Sequence, residues 1–222
     1  MTTLSSRPGF GHRPFVQGQL QDLTQDHVLH LQHYLKKAPA NFSEAKINVL
    51  QHPNLSADTW TGVITPQIKT MLEGIFAKSN PWGIELYDPI EVSKHIEVLR
   101  YSGSGTFPWH TDTSQQQVFQ SPVRDCFTIA QEEYHENIVG EYSTPSESSN
   151  NRKLTCILSL TSDYEGGEFQ IRMIDTEDIV FEQKLNFGEY VVLPAVYPHR
   201  VAPVTGGERF VCASWAEGPI YT

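Results

Sequence analysis

Three cysteines, Cys126, Cys156 and Cys212, are all that 222 residues contain, and no two stand in CxxC spacing. So few, unevenly placed thiols argue against a disulfide framework and point to reduced, partly buried side chains. Positive charge is scarce as well: 16 Lys and Arg face 26 Asp and Glu, a formal net charge of −10. Phosphate backbones are gripped by clustered cations, so this balance argues against nucleic acid as a partner. No apolar run approaches the roughly 20 residues that span a bilayer. The opening residues also lack the apolar core of a secretion signal. A protein of the cytoplasm, with no membrane partner, is the expectation.

What is present suits a folded domain. Hydrophobic residues make up 39% and aromatic residues 11% of the chain, enough to bury a sizeable interior. Residues 1–20, rich in Gly, Pro, Ser and Gln, read as a loose lead-in. Leu23, His27, Leu31, Tyr34 and Leu35 recur at helical spacing and end in Lys36-Lys37. A second helix is marked by Thr65 as cap, Pro66 at its first position and an apolar stripe of Ile68, Met71, Leu72, Ile75 and Phe76. Ser79-Asn80-Pro81 stops it.

From residue 84 the texture changes to short β-type runs punctuated by Gly and Pro. They fall at 84–87, 96–101, 154–160, 168–173, 179–184, 190–193, 199–201 and 209–215. Many short strands in one stretch predict a mainly β jelly-roll, cupin-like and double-stranded, with flanking helices. The division that follows is 1–83 for lead-in and supporting helices and 84–222 for the core. Residues 113–151, polar and rich in Gln, Glu and Ser, read as an insertion beside the mouth of the core.

The chemistry is concentrated in four residues. His110 and Asp112 are one residue apart, so on an extended segment both side chains point the same way. Two imidazoles and a carboxylate are the donors that hold non-haem Fe(II) while leaving positions open, and His199 supplies the second imidazole. Ten residues later, Arg209 lies in a β-type run whose alternation sets Val211, Ala213 and Trp215 on its own face. A guanidinium inside a barrel needs an anion, and a dicarboxylic cosubstrate would satisfy it by a bidentate pairing. Of the remaining histidines, His12, His27, His30, His33 and His52 read as solvated. His95 lies at a strand entry and His135 in the polar insertion.

Four segments carry a resemblance: Tyr101 to Asp112 (YSGSGTFPWHTD), Arg152 to Leu160 (RKLTCILSL), Asp163 to Glu168 (DYEGGE) and Pro198 to Arg209 (PHRVAPVTGGER). In this order they resemble the 2-oxoglutarate/Fe(II) dioxygenase superfamily, most closely its prolyl 4-hydroxylase-like branch. The resemblance implies Fe(II) on His110, Asp112 and His199, with 2-oxoglutarate chelating the metal and Arg209 holding its far carboxylate. It further implies O2 as oxidant, succinate and carbon dioxide as co-products, and ascorbate as reductant. The hydroxyl of Tyr101 is a candidate second contact to the cosubstrate. Oxygen-sensing prolyl hydroxylases carry a tyrosine in the strand matching 155–160. Leu158 is read at that place, with Thr155, Ser159 or Thr161 as possible substitutes. Asp112 favours hydroxylation over halogenation, since halogenases of the superfamily lack that carboxylate.

The substrate class implied is a free amino acid or an amino-acid residue in a peptide or protein. Two other readings stand beside it. One is a nucleic-acid or small-molecule demethylase of the same superfamily; the nucleic-acid enzymes usually show Arg-x5-Arg, but residue 215 is Trp. A metal-binding jelly-roll module without turnover would bind ligand and make no succinate.

Overall fold

The protein is described by a computed structural model over residues 13–37, 57–61, 64–90, 92, 96–112, 152–173 and 178–219. The insertion expected at 113–151 lies outside these residues, as do Cys126, His12, His52, His95 and His135. The strands are β1 (Val16–Gln19), β2 (Ala57–Thr61), β3 (Glu97–Ser102), β4 (Phe107–His110), β5 (Arg152–Ser159) and β6 (Tyr164–Gly166). They continue with β7 (Phe169–Arg172), β8 (Ile179–Gln183), β9 (Glu189–Pro194), β10 (His199–Val201) and β11 (Val204–Glu217). Two helices, α1 (Gln25–Lys37) and α2 (Pro66–Lys78), complete the description. None of the described helices is long and apolar enough to cross a membrane.

Both helices lie where the apolar spacing puts them. In α1 the buried seam is Val28, Leu31 and Leu35, continued by Leu23 just before the helix; His27 is only half-buried and its backbone N–H donates to the Thr24 hydroxyl at 3.4 Å. In α2 the stripe of Ile68, Leu72, Ile75 and Phe76 is buried. The Thr65 hydroxyl makes no capping bond. Its extended backbone and the fixed φ of Pro66 begin the helix instead.

Two antiparallel sheets form a jelly-roll. The larger has the order β1-β9-β5-β11-β3-β2, with β6 paired to β11, and the smaller runs β4-β10-β7-β8. Within residues 1–20, expected to be a loose lead-in, Val16 to Gln19 pair as β1 with β9. A four-residue edge strand is too short to leave a periodic signal. The run at 84–87, expected as a strand, is irregular. There the Asn80 side chain takes both backbone groups of Ile84, at 2.7 and 3.1 Å, in place of a neighbouring strand.

Period-two alternation in the larger sheet makes two cores. Phe210, Cys212 and Ala216 of β11 join Leu154, Cys156 and Leu158 of β5 against α1 and α2. The intervening Val211, Ala213 and Trp215 join Ile157, Leu99 and Tyr101 and face the smaller sheet. Each fully buried Leu, Ile or Phe contributes about 1.5–3 kcal/mol. The helix layer thus covers one face of the larger sheet, and the other face packs against the smaller sheet.

Candidate metal centre

Three side chains from separate parts of the chain meet between the sheets. His110 closes β4, and His199 opens β10 directly opposite it in the antiparallel register. Cross-strand neighbours are brought within contact distance, and the two ring centroids are 4.3 Å apart. Asp112 follows β4 by two residues, anchored by its backbone N–H to the Ala195 carbonyl at 3.0 Å. One ligand atom from each of His110, Asp112 and His199 lies within 4.8 Å of the others. No other group of three potential metal-binding residues occurs among the described residues.

The rings are oriented as ligands. His110 Nδ1–H donates to the Pro108 carbonyl at 2.8 Å, and His199 Nδ1–H donates to the Tyr197 carbonyl at 3.0 Å. A carbonyl can only accept, so each ring carries its proton on Nδ1 and turns Nε2 toward the centre. The two Nε2 atoms lie 3.6 and 3.3 Å from the Asp112 carboxylate oxygens. Phe107 packs on His110 and Phe169 on His199, at centroid separations of 4.1 and 5.5 Å.

The three groups shift one another's protonation. Burial and the neighbouring His199 pull His110 down to about 3. Burial would raise Asp112, but the charge and hydrogen bond of His199, then His110, hold its carboxyl well below the usual range. Burial lowers His199, and the Asp112 carboxylate more than reverses this, leaving it raised. Two neutral imidazoles and one carboxylate with open positions suit Fe(II).

Arg209 gives the second test of fit. It is fully buried, and none of its three guanidinium nitrogens has a hydrogen-bond partner among the described residues. Its Cζ lies 5.2 Å from the ring centroid of Tyr101 and 6.0 Å from that of Tyr164. Gly167, at φ +67°, packs so closely that a Cβ there would stand 3.0 Å from Arg209 Cδ and 2.9 Å from Val204 Cγ2. A buried cation without an anion is costly. A carboxylate ligand on the same inner face as the metal removes that cost, so the residues fit a diacid chelated at one end and gripped at the other.

Tyr101 sits opposite Arg209 in the β3–β11 register, buried, with its phenol held above the usual range by burial despite the guanidinium beside it. Thr155 is inside the cavity, but its hydroxyl donates to Asp112 Oδ2 at 2.6 Å. Its hydroxyl proton is therefore engaged by the Asp112 carboxylate. Leu158 belongs to the helix-facing core, so it does not stand in a cosubstrate-binding position. Alternation turns Ser159 inward instead, and its hydroxyl lies 3.1 Å from the Leu185 carbonyl. Thr161 accepts from Phe210 N–H at 3.0 Å. The sequence reading gave no part to Glu97, although it shares a face with Tyr101 by simple alternation.

A family model described as the 2OG-Fe(II) oxygenase superfamily matches residues 96–217. A PKHD-type hydroxylase of Prochlorococcus marinus is 41% identical over 75 residues, 33% of this chain and 33% of that protein. One from Hyphomonas neptunium is 41% identical over 66 residues, 30% of this chain and 28% of its own. The chain thus spans about a third of the length of the curated relatives it matches. A Pseudomonas putida prolyl-4-hydroxylase structure superposes with TM-score 0.57 at 15% identity, covering 93% of both chains. A Trichoplax adhaerens prolyl hydroxylase, in complex with a hypoxia inducible factor peptide fragment, gives 0.59 at 12% identity, covering 92% of this chain and 83% of that one. At these identities the likeness is one of fold.

Proposed function

Because the chain belongs to the 2OG-Fe(II) oxygenase superfamily, we propose that it hydroxylates an unactivated C–H bond of a free amino acid or of an amino-acid residue in a peptide or protein. One observation supports this above the rest. The His110–Asp112–His199 cluster lies on the same inner side of the larger sheet as a fully buried Arg209 that has no hydrogen-bond partner among the described residues. A structural metal site needs no such cation, whereas a dicarboxylic cosubstrate does.

Residues 84–222 form the oxygenase core in this reading, and residues 1–83 support it. His110, Asp112 and His199 hold Fe(II) on one face; Thr155 fixes one carboxylate oxygen of Asp112 so that the other is free to ligate. Arg209 and Tyr101 fix the far end of 2-oxoglutarate, and Phe107 and Phe169 keep water from the backs of the ligand rings. Bound Fe(II), 2-oxoglutarate and O2 supply the oxidising power, giving succinate, carbon dioxide and one oxygen atom for the substrate. The PKHD-type hydroxylase relatives and the prolyl hydroxylase neighbours support an amino-acid substrate. The described free thiols of Cys156 and Cys212 suit a reducing cytoplasm.

The test is to incubate the protein with Fe(II), ascorbate and 2-oxoglutarate, with and without candidate amino acids and peptides. Substrate-stimulated succinate and a mass gain of one oxygen are expected, and both vanish in Asp112→Ala. Binding with no succinate would make it a ligand-binding module; formaldehyde release would make it a demethylase.

A further inference from the structure

Three polar groups on the inner side of the larger sheet are used neither by the metal cluster nor by Arg209: the half-buried Glu97 and Arg152 and the buried indole N–H of Trp215. Their places follow from register. Glu97 opens β3 on the face that carries Leu99 and Tyr101, and lies opposite Ala213. Trp215 is two residues further along β11, opposite Thr155, whose hydroxyl holds Asp112. Strand β11 therefore carries the Arg209 end of the cavity and, about 20 Å along at 3.3 Å per residue, a second polar end.

That second end has charges of both signs. The guanidinium carbon of Arg152 lies 3.7 Å from the ring centroid of Trp215. Its field reaches Glu97, Asp112 and His110. Glu97 and Arg152 do not close into an ion pair, and Glu97 makes no hydrogen bond among the described residues. Arg152 Nε and Trp215 Nε1 are buried without an acceptor. Burial holds the Glu97 carboxyl above its usual range, only partly offset by Arg152, so its charge is incompletely balanced. Buried polar groups are nearly always paired. A purely structural Glu–Arg contact would close; here, among the described residues, the Glu97 carboxyl, Arg152 Nε and the indole N–H have no hydrogen-bond partner.

We propose that Glu97, Arg152 and Trp215 read both charges of a free α-amino acid, its ammonium on Glu97 and its carboxylate on Arg152 and the indole N–H. This rests on the oxygenase reading and narrows its substrate class. A residue inside a peptide has neither backbone charge and would leave both side chains unbalanced.

The test measures equilibrium binding by calorimetry to the full chain loaded with Zn(II) and 2-oxoglutarate, so that no turnover occurs. The probes are the twenty common L-amino acids, each free, N-acetylated and C-amidated. At least one free amino acid should bind, and capping either end should weaken it about 30-fold or more. Glu97→Gln should weaken the free form similarly while leaving the N-acetyl form unchanged; Arg152→Gln should do the same for the C-amide. Equal binding of free and capped forms, or no binding by any probe, overturns the proposal, and this comparison needs no variant. Discrimination that survives both substitutions overturns it as well. Succinate formation separates the two readings: turnover with no preference for free amino acids removes only this pocket, and charge-dependent binding with no succinate removes only the oxygenase.

Discussion

Arg209 sets a full positive charge between two tyrosine rings with no carboxylate paired to it among the described residues, and that fixes what its replacement should do. Arg209→Met keeps the volume and removes the uncompensated charge. The ligand-free protein should gain about 1–3 kcal/mol and melt at higher temperature. The same variant should lose the stabilisation that 2-oxoglutarate gives the parent, about 2.7 kcal/mol at a hundredfold excess over Kd. Melting curves with and without 2-oxoglutarate measure both; a destabilised ligand-free variant would mean that Arg209 has an unseen anion. Thr155→Val deletes the 2.6 Å bond to Asp112 at almost constant shape. Iron affinity should fall about 10- to 100-fold, read by titration with Fe(II) under anaerobic conditions. Unchanged affinity would reduce Thr155 to packing. The identities of both residues stood in the sequence, but whether the Thr155 hydroxyl faced cosubstrate or carboxylate did not, because that depends on the contact between β5 and the end of β4.

At the scale of strands, β3, β5 and β11 make the molecule sensitive to alkali. Burial pushes the Cys156 thiol up to about 12, and it also raises Cys212 and the Tyr101 phenol. These groups stay protonated in the fold while the unfolded chain ionises them. Their contribution is complete below the ordinary thiol value near 9 and is lost as pH rises toward the folded values. Lys153 on β5 acts the other way, since burial lowers it to about 8. One group gaining stability against three losing it leaves a net loss above about pH 9. Urea midpoints between pH 7 and 11, in reductant, should show this decline, shallower in Cys156→Ala. A flat profile would place these thiols in water. Alternation along β11 was legible in advance, with Val211, Ala213 and Trp215 inward. On β5 the phase stayed open between Leu158 and the series of Thr155 and Ser159, because a strand buried on both faces reads as one apolar run.

Across the whole molecule the helix layer and the cavity are separable. Phe76 is fully buried between α2 and the larger sheet and touches nothing of the metal cluster. Phe76→Ala should cost about 3–5 kcal/mol of stability while leaving iron affinity unchanged per folded molecule. Denaturant unfolding and metal titration on one preparation check both; a matching loss of affinity would show that the helices set the metal geometry.

The sequence by itself determined which atoms are available: His110 and Asp112 in phase, a second imidazole at 199, a cation at 209 and a stripe of apolar residues for each helix. Those are local matters, governed by spacing of two or 3.6 residues. Only the tertiary structure decided that His199 faces His110 across a β4–β10 pair, that Leu158 turns to the helices, and that Glu97, Arg152 and Trp215 gather at one end of the cavity. Such meetings are set by the register of strands distant in the chain, and register is chosen by the burial of whole sheet faces rather than by any one segment.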